Sequence, residues 1–267
     1  MNQFFTPYFA FSRIAFLQIL AYRLRYFTGI ATYMVNVTVY YFIWKALFHH
    51  GGEIQGFSFE QMITYVAIGW IIRTFYFNNI DREMANDIVQ GHIAARLIRP
   101  VSYQWAMISQ AAGESCFRLG MFTVPTALVI LAIYPVCAPA SLPFFAAFLV
   151  ALFFSFSIFA GLNFMVGTCA VYLNSILGLI RAKYFLVEIL SGLVIPVSFF
   201  PDPMIKISNW LPFQYISYTP LLIYMGKLQG YDLCRTLFLE LSWVVILLLL
   251  GHWLWFRAMR RITIQGG

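Results

Sequence analysis

Charged residues are almost absent from the middle of this chain. No Asp, Glu, Lys or Arg occurs in the 62 residues from 119 to 180, between Arg118 and Arg181. An apolar helix needs about 20 residues to cross the hydrocarbon core of a bilayer, so this stretch is long enough for two crossings. Water could not solvate it in a soluble domain. The sequence therefore excludes an ordinary soluble protein.

The rest of the composition is consistent with a membrane protein. Charged residues make up 10% of the chain, hydrophobic residues 61%, and the mean hydropathy is +0.78, whereas soluble domains carry about 25% charged residues. The uncharged stretch is interrupted by the proline-rich segment 134–143 (YPVCAPASLP), which predicts a turn between two helices. We therefore expect a helical hairpin in lipid.

Several other signals are missing. Runs such as 144–152 (FFAAFLVAL) lack the alternation of a membrane β-barrel, so the prediction is an all-α membrane protein. No cleavable signal peptide is evident at the N-terminus. The four cysteines have no CxxC spacing, and we interpret them as packing residues rather than metal ligands or disulfide partners. No metal site is expected.

The hydropathy pattern predicts a single transmembrane domain over residues 1–267. Residues 4–25 contain Arg13, Arg23 and Arg25, which leave too short a neutral core for a span, so we expect an interfacial helix there. The predicted spans are at about 27–48, 59–80, 112–134, 143–169, 184–200 and 238–256.

Lys and Arg residues predict the orientation of these spans. With the N-terminus inside, twelve of them fall on the inner side and four on the outer side, while Arg73 lies within a span. Inner loops normally carry the excess of positive charge. We therefore expect both termini in the cytoplasm. The net charge of +7 is then explained by topology, and no nucleic-acid partner is expected.

The charged segment 81–100 separates the second and third predicted spans. Its apolar residues recur at helical spacing, which predicts a short amphipathic helix that breaks near Gly91 and ends at Pro100. One interpretation is a solvated helix that only fixes topology. The other is a docking helix that transmits force from a cytoplasmic partner.

Residues 201–225 are too apolar for an ordinary loop and too rich in proline for a span. Irregular backbone at membrane depth is tolerated only where protein or a water-filled cavity covers it. We therefore predict a re-entrant pair of short helices between the fifth and sixth spans.

Three segments carry a resemblance to a known family. They are 91–102 (GHIAARLIRPVS), 211–220 (LPFQYISYTP) with Gly226-Lys227, and the basic tail that starts at Arg257. In these segments the chain resembles the permease subunits of ABC type-2 exporters, in particular the bacterial type in which two related permeases are paired with one ATPase. Gln214 departs from the pattern, because the family often has a small residue there, and this could matter for an outer gate.

The resemblance implies an elbow helix, six spans, a coupling helix and re-entrant helices, in a bacterial inner membrane. It implies two copies of a separate ABC ATPase, which would hold ATP and Mg, and a second permease, identical or related, surrounded by lipid. The chain has no GxxxxGK[ST] motif, so we expect it to bind no cofactor and to have no catalytic residues. The residues expected to couple to the ATPase are Asp87, Gly91, Arg96, Arg99 and Pro100.

The remaining site prediction concerns a pathway or gate. The residues expected there are Arg73, Glu188, Phe213, Gln214, Tyr215 and Tyr218. Intramembrane charges usually face a partner or a wet cavity. One hypothesis is therefore that Arg73 and Glu188 meet, within or across subunits, and hold a resting state closed. In the alternative, Arg73 reaches the inner headgroups and Glu188 lies in the inner interface.

The leading function is the membrane subunit of an ATP-driven exporter of an amphipathic, lipid-like, drug-like or glycoconjugate substrate. An ATP-independent secondary transporter, a membrane enzyme or a non-catalytic scaffold stays open as the alternative. The aromatic content of 19% suits an amphipathic cargo, but ordinary interfacial belts are the favoured explanation.

Overall fold

The computed structural model describes residues 6–21, 24–173 and 175–261, and for Thr6, 19–21 and 24–28 it describes the backbone alone. In these ranges the protein is helical, and the only β-type pairing is an isolated bridge between Ile54 and Phe57. The α-helices are α1 (Thr6–Ala21), α2 (Leu24–Leu47), α3 (Phe59–Tyr76), α4 (Ile80–Val89), α5 (Ile93–Leu97), α6 (Tyr103–Arg118), α7 (Val124–Ile133), α8 (Leu142–Thr168), α9 (Leu177–Leu190), α10 (Asp202–Asn209), α11 (Tyr218–Tyr224) and α12 (Gly230–Met259). The prediction of an all-α protein is confirmed for this part of the chain.

Within the described residues, three continuous helices are long and apolar enough to cross a membrane, judged by length and composition. They are Tyr103–Ile133, Leu142–Val171 and Gly230–Met259. Each contains most or all of one predicted span, at 112–134, 143–169 and 238–256. The proline-rich segment lies between α7 and α8, as predicted, without helical structure from Tyr134 to Ser141. The apolar runs therefore located these helices, although α12 begins earlier than its apolar part.

The helix Tyr103–Ile133 begins nine residues before the predicted start at 112. Its first turns contain polar residues such as Gln104, so hydropathy alone did not include them. The middle of this helix is a π-helical segment, Leu119–Thr123. Pro125 has no amide hydrogen to donate to the preceding turn, and the amide of Val124 donates to the carbonyl of Leu119 instead.

The fifth predicted span, 184–200, was wrong in its bounds. The structure has α9 over Leu177–Leu190, and a non-helical segment then leads to a short 3-10 turn at Val197–Phe199. Gly192 ends the helix with a φ of 76°, which a glycine adopts without strain, and Pro196 follows. Hydropathy did not show this break because the residues on both sides of it are apolar.

The predicted interfacial helix over 4–25 corresponds to α1, while residues 4, 5, 22 and 23 lie outside the described residues. α1 packs along α6, where Gly113 lets the two backbones approach closely. A Cβ on Gly113 would lie 2.1 Å from the carbonyl oxygen of Ser12. The Ser12 hydroxyl donates to the carbonyl of Ser109 at 2.5 Å. Phe9 is 73% exposed on α1.

The central element is α8, which packs against α12, α4, α11 and α3. Two of its glycines permit these contacts: Gly161 faces Leu247 of α12, and Gly167 faces α4. α3 is nearly buried along its length, and it starts with a capping box. There, Ser58 Oγ accepts from the amide of Gln61, and Gln61 Oε1 accepts from the amide of Ser58. α3, α4 and α9 position the site around α8.

Candidate functional site

The segment from α4 to α5 is a helix–turn–helix that lies between α3 and α6. The two helices are separated by Gly91, whose φ of 75° explains the break that the sequence predicted. Ile80, Met84 and Ile93 are buried on the inner side of this segment. Gly167 of α8 permits this packing, because a Cβ there would be 2.8 Å from the sulfur of Met84. One side of the segment is therefore held firmly against α8.

Asp87 and Arg96, both predicted to act in coupling, contact each other. Arg96 Nε lies 2.9 Å from Asp87 Oδ2, and the Tyr103 hydroxyl donates to the same oxygen at 3.3 Å. Burial raises the pKa of the Asp87 carboxyl, and the positive charge of Arg96 opposes that effect. The pair joins α4 to α5 and to the start of α6. Arg96 is thus held by an intrachain contact at the root of the segment.

A second carboxylate on α4 lies beside the same part of α6. Gln110 Nε2 donates to Glu83 Oε2 at 2.7 Å, and Arg96 Nη1 contacts Gln110 Oε1 at 3.4 Å. Burial, together with the nearby Glu114 carboxyl, raises the pKa of Glu83 to about 8. This carboxyl therefore titrates near neutral pH.

The outer tip of the segment is exposed and partly apolar. Val89 is 70% exposed and Ile98 is 85% exposed, and Gly91, Arg99 and Pro100 are exposed beside them. The Arg99 guanidinium lies 5.7 Å from the centre of the Phe11 ring on α1. Of the predicted coupling residues, Gly91, Arg99 and Pro100 therefore form the surface, while Asp87 and Arg96 support it from inside.

A buried ion pair connects this segment to α9. Lys183 Nζ lies 2.6 Å from Asp81 Oδ2, and both side chains are almost fully buried, at 7% and 0% exposure. Lys183 also donates to Asn163 Oδ1 of α8, and Asn163 Nδ2 in turn donates to Asn78 Oδ1 at 2.8 Å. Because these groups satisfy one another, the charges are tolerated inside the bundle. The network fixes α4, α8 and α9 at one point.

Arg73 of α3 and Glu188 of α9 do meet, within one chain. Arg73 Nη1 is 2.7 Å from Glu188 Oε1, and the side chains are 19% and 38% exposed. The Arg73 guanidinium also lies 5.2 Å from the ring centre of Trp70 and 5.7 Å from that of Phe77. The contact is established in this structure, while its role in holding a state closed stays a prediction.

Of the other predicted gate residues, Phe213, Gln214 and Tyr215 lie between α10 and α11, and Tyr218 begins α11. Gln214, Tyr215 and Tyr218 line a cavity of about 330 Å³ that the first turns of α12 complete, and Phe213 is not among its lining residues. The amide of Tyr218 donates to the carbonyl of Ser191 at 2.9 Å. This segment is therefore attached directly to the end of α9.

Two features of the site were not predicted from the sequence. Asp81 and Lys183 had the pattern of loop charges, since nothing in one sequence shows that residues 102 positions apart form a pair. Glu240 is fully buried in α12, and neither of its carboxylate oxygens has a hydrogen-bond partner among the described residues. A carboxylate inside an apolar run was a visible signal, because such charges are rare in membrane spans.

Among the described residues, no group of three His, Cys, Asp or Glu side chains is placed to bind a metal ion. The four cysteines are free. The site therefore consists of ion pairs, amides and an exposed tip, an arrangement that can position helices and bind a partner.

These helices define a multi-pass membrane protein of the helical class. A family model described as "ABC-2 family transporter protein" matches residues 34–266, so the chain belongs to that family. Permeases of this family are membrane subunits that are generally not catalytic themselves and normally work with an ATPase partner. A comparison with curated proteins gives no match.

Proposed function

We propose that this chain is the permease subunit of an ATP-driven exporter and that a separate ATPase docks on the tip of the α4–α5 segment. The observation that carries the proposal is the division of this segment into two sides. Its inner side is buried and tied to the bundle by Asp81 and Asp87, while Val89, Ile98 and Arg99 are exposed at its tip. Exposed apolar residues beside a charge are typical of a protein-binding surface.

The same proposal includes the arrangement of the helices in the membrane. It comprises α1 as an elbow helix, six spans that include α2, α3 and α9, and α10–α11 as re-entrant helices, with both termini in the cytoplasm of a bacterial cell. Its support is the excess of Lys and Arg on one side and the exposed apolar faces of α2 and α12, where Phe42 is 60% exposed and Leu249 is 65% exposed. A second permease, identical or related, completes the pathway.

The contacts also support a route for the mechanical signal. A movement of the α4–α5 segment is carried to α9 by the Asp81–Lys183 pair. The closest backbone approach of α9 is to the turn at 213–215, so its connection to α4 runs through side chains, above all this ion pair. Its movement then changes the Arg73–Glu188 contact with α3. ATP binding to the ATPase would in this way rearrange the α3–α9 contact along the pathway. The proposed cargo is an amphipathic molecule.

The docking surface is tested by co-purification of the full-length chain with an ABC ATPase from the same organism. Val89→Asp with Ile98→Asp should abolish ATPase retention and permease-dependent ATP hydrolysis, while membrane insertion and melting temperature stay unchanged. Ile207→Ser on α10 is the control away from the tip, because Ile207 is also an exposed apolar residue, at 56%, and Ser adds no charge to that helix. Unchanged retention in the double variant would refute docking at this tip.

A further inference from the structure

The cavity beside α12 has the chemistry of a ligand site. It measures about 330 Å³ and combines the amide of Gln214 and the phenols of Tyr215 and Tyr218 with two opposite charges, Asp232 and Arg235, and three leucines. Ligand cavities in proteins start at about 300 Å³ and normally mix apolar walls with a few polar groups. The size suits a small polar headgroup together with the start of its apolar part.

The two charges face the cavity from consecutive turns of α12. Residues three apart lie on one side of a helix, so Asp232 and Arg235 present a carboxylate and a guanidinium about 5–6 Å apart at their Cβ atoms. Both are exposed, and within the described residues neither side chain has a hydrogen bond or an ion pair. A ligand that carries both signs of charge at a similar separation would satisfy them together.

The position of the cavity indicates where such a ligand comes from. Trp210 follows the lining residue Asn209 and is 83% exposed, and Tyr231 precedes Asp232 and is 79% exposed. Exposed Trp and Tyr residues are enriched at the level of lipid headgroups. These two aromatics, adjacent in sequence to lining residues, suit an opening at the interface between membrane and water.

We propose that this cavity binds the headgroup of a zwitterionic phospholipid, phosphatidylethanolamine, with its phosphate on Arg235 and its ammonium on Asp232. Arginine is well suited to phosphate oxygens, and the leucines of the wall suit the start of the acyl chains. The bound lipid would join the α10–α11 segment to α12 and so set the position of Gln214, Tyr215 and Tyr218. This assignment does not depend on the proposed docking of an ATPase.

The test is native mass spectrometry of the full-length chain after incubation with vesicles of phosphatidylethanolamine and phosphatidylglycerol in equal amounts. The wild type should retain phosphatidylethanolamine selectively. Arg235→Gln should reduce its retention about tenfold, the size expected for loss of one charge-assisted hydrogen bond. Arg235→Lys should retain the lipid, and Arg257→Gln, at the other end of α12, is the matched control.

Asp232→Asn separates the zwitterionic site from a simple phosphate site. This change should lower retention of phosphatidylethanolamine and shift the preference to the anionic lipid, because the ammonium loses its partner. Asp232 lies in the first turn of α12, where it also favours the helix, so the melting temperature is measured for each variant. Two results would overturn the proposal: no retained lipid in the wild type, or equal retention of both lipids that Asp232→Asn leaves unchanged.

Discussion

Two ion pairs hold α9 in different ways. Asp81–Lys183 is buried and belongs to a network with Asn163, whereas Arg73–Glu188, five residues further along α9, is partly exposed. A fully buried pair is costly to break because one charge is left without a partner. The partly exposed Arg73–Glu188 pair leaves its side chains room to take other partners. The comparison indicates that the first contact is a permanent connection to the α4–α5 segment and the second is a contact that can change.

The largest effect is expected from breaking the buried pair on one side. Lys183→Met should lower the free energy of unfolding by about 3–5 kcal/mol, because it leaves the Asp81 carboxylate buried and unpaired. Asp81→Leu with Lys183→Met should be clearly more stable than the single variant. Thermal unfolding of the purified full-length chain measures both. A double variant no more stable than the single would contradict the argument from desolvation.

Tightening the contact between α8 and α4 should have the next largest effect. In Gly167→Ala the new Cβ would lie 3.1 Å from the Cα of Asp81 and 2.8 Å from the sulfur of Met84, so the α4–α5 segment must shift. We expect a loss of about 1–3 kcal/mol, the usual cost of overpacking. Gly178→Ala is the control, since its Cβ would meet no neighbouring atom within 4 Å. Equal melting temperatures for both variants would contradict the close packing.

Charge reversal at Arg96 and at Arg99 should distinguish a residue that stabilises the α4–α5 segment from one that binds the ATPase. Arg96→Glu breaks the 2.9 Å contact with Asp87 and should lower both the melting temperature and ATPase binding. Arg99→Glu changes an exposed charge and should weaken ATPase binding while the melting temperature stays within experimental error. Co-purification and thermal unfolding are measured on the same preparations. If Arg99→Glu binds the ATPase normally, Arg99 serves topology alone.

The partly exposed Arg73–Glu188 pair should matter for transport. Arg73→Glu or Glu188→Arg alone should impair transport, and the combined swap should restore part of it. Each single change brings two like charges together in an apolar segment, so it should also lower the melting temperature, which the swap should largely restore. Transport by cells of a fluorescent amphipathic cation or lipid analogue is one readout, followed by the ATPase rate of the complex. A swap no better than the worse single variant would refute a functional pairing.

A separate effect concerns the pH dependence of α4. The pKa of Glu83 is raised in the folded protein from 4.5 to about 8, so folding favours its protonated form. Its contribution to stability is therefore fully present below pH 4.5 and is lost as the pH rises towards and through 8. We expect the melting temperature to fall between pH 5 and pH 8.5, and Glu83→Gln should flatten this fall. If the melting temperature falls equally with pH in the wild type and the variant, other titratable groups cause the fall.

The sequence predicted those parts of the fold that depend on local signals. Apolar length located α8 and α12, Gly91 marked the break between α4 and α5, and proline marked the turn at 134–143. The end of α9 at Leu190 could not be predicted, because the segment after it is as apolar as the helix. Hydropathy measures burial in lipid or protein and does not distinguish a helix from a covered loop.

Site residues could be predicted where a charged residue lies in an otherwise apolar segment. Arg73 and Glu188 are charges in apolar segments at similar depth, which allowed the hypothesis that they meet. Asp81 and Lys183 lie among other charged residues, so their pairing depends on the tertiary packing of α4, α8 and α9. The proposed lipid cavity likewise requires two segments that are brought together only in the folded chain.

The central claim is that α9 moves with the α4–α5 segment and against α3 when the ATPase binds nucleotide. Pulsed electron paramagnetic resonance tests it on the complex of the full-length chain with its ATPase, with Cys116 and Cys234 replaced by Ser. Spin labels at Asn86, an exposed residue of α4 away from the tip, and at Phe185 report the α4–α9 distance. Labels at Glu60 and Phe185 report the α3–α9 distance. With trapped ATP, the first distance should stay constant and the second should change. A constant α3–α9 distance, or a changed α4–α9 distance, would contradict the account.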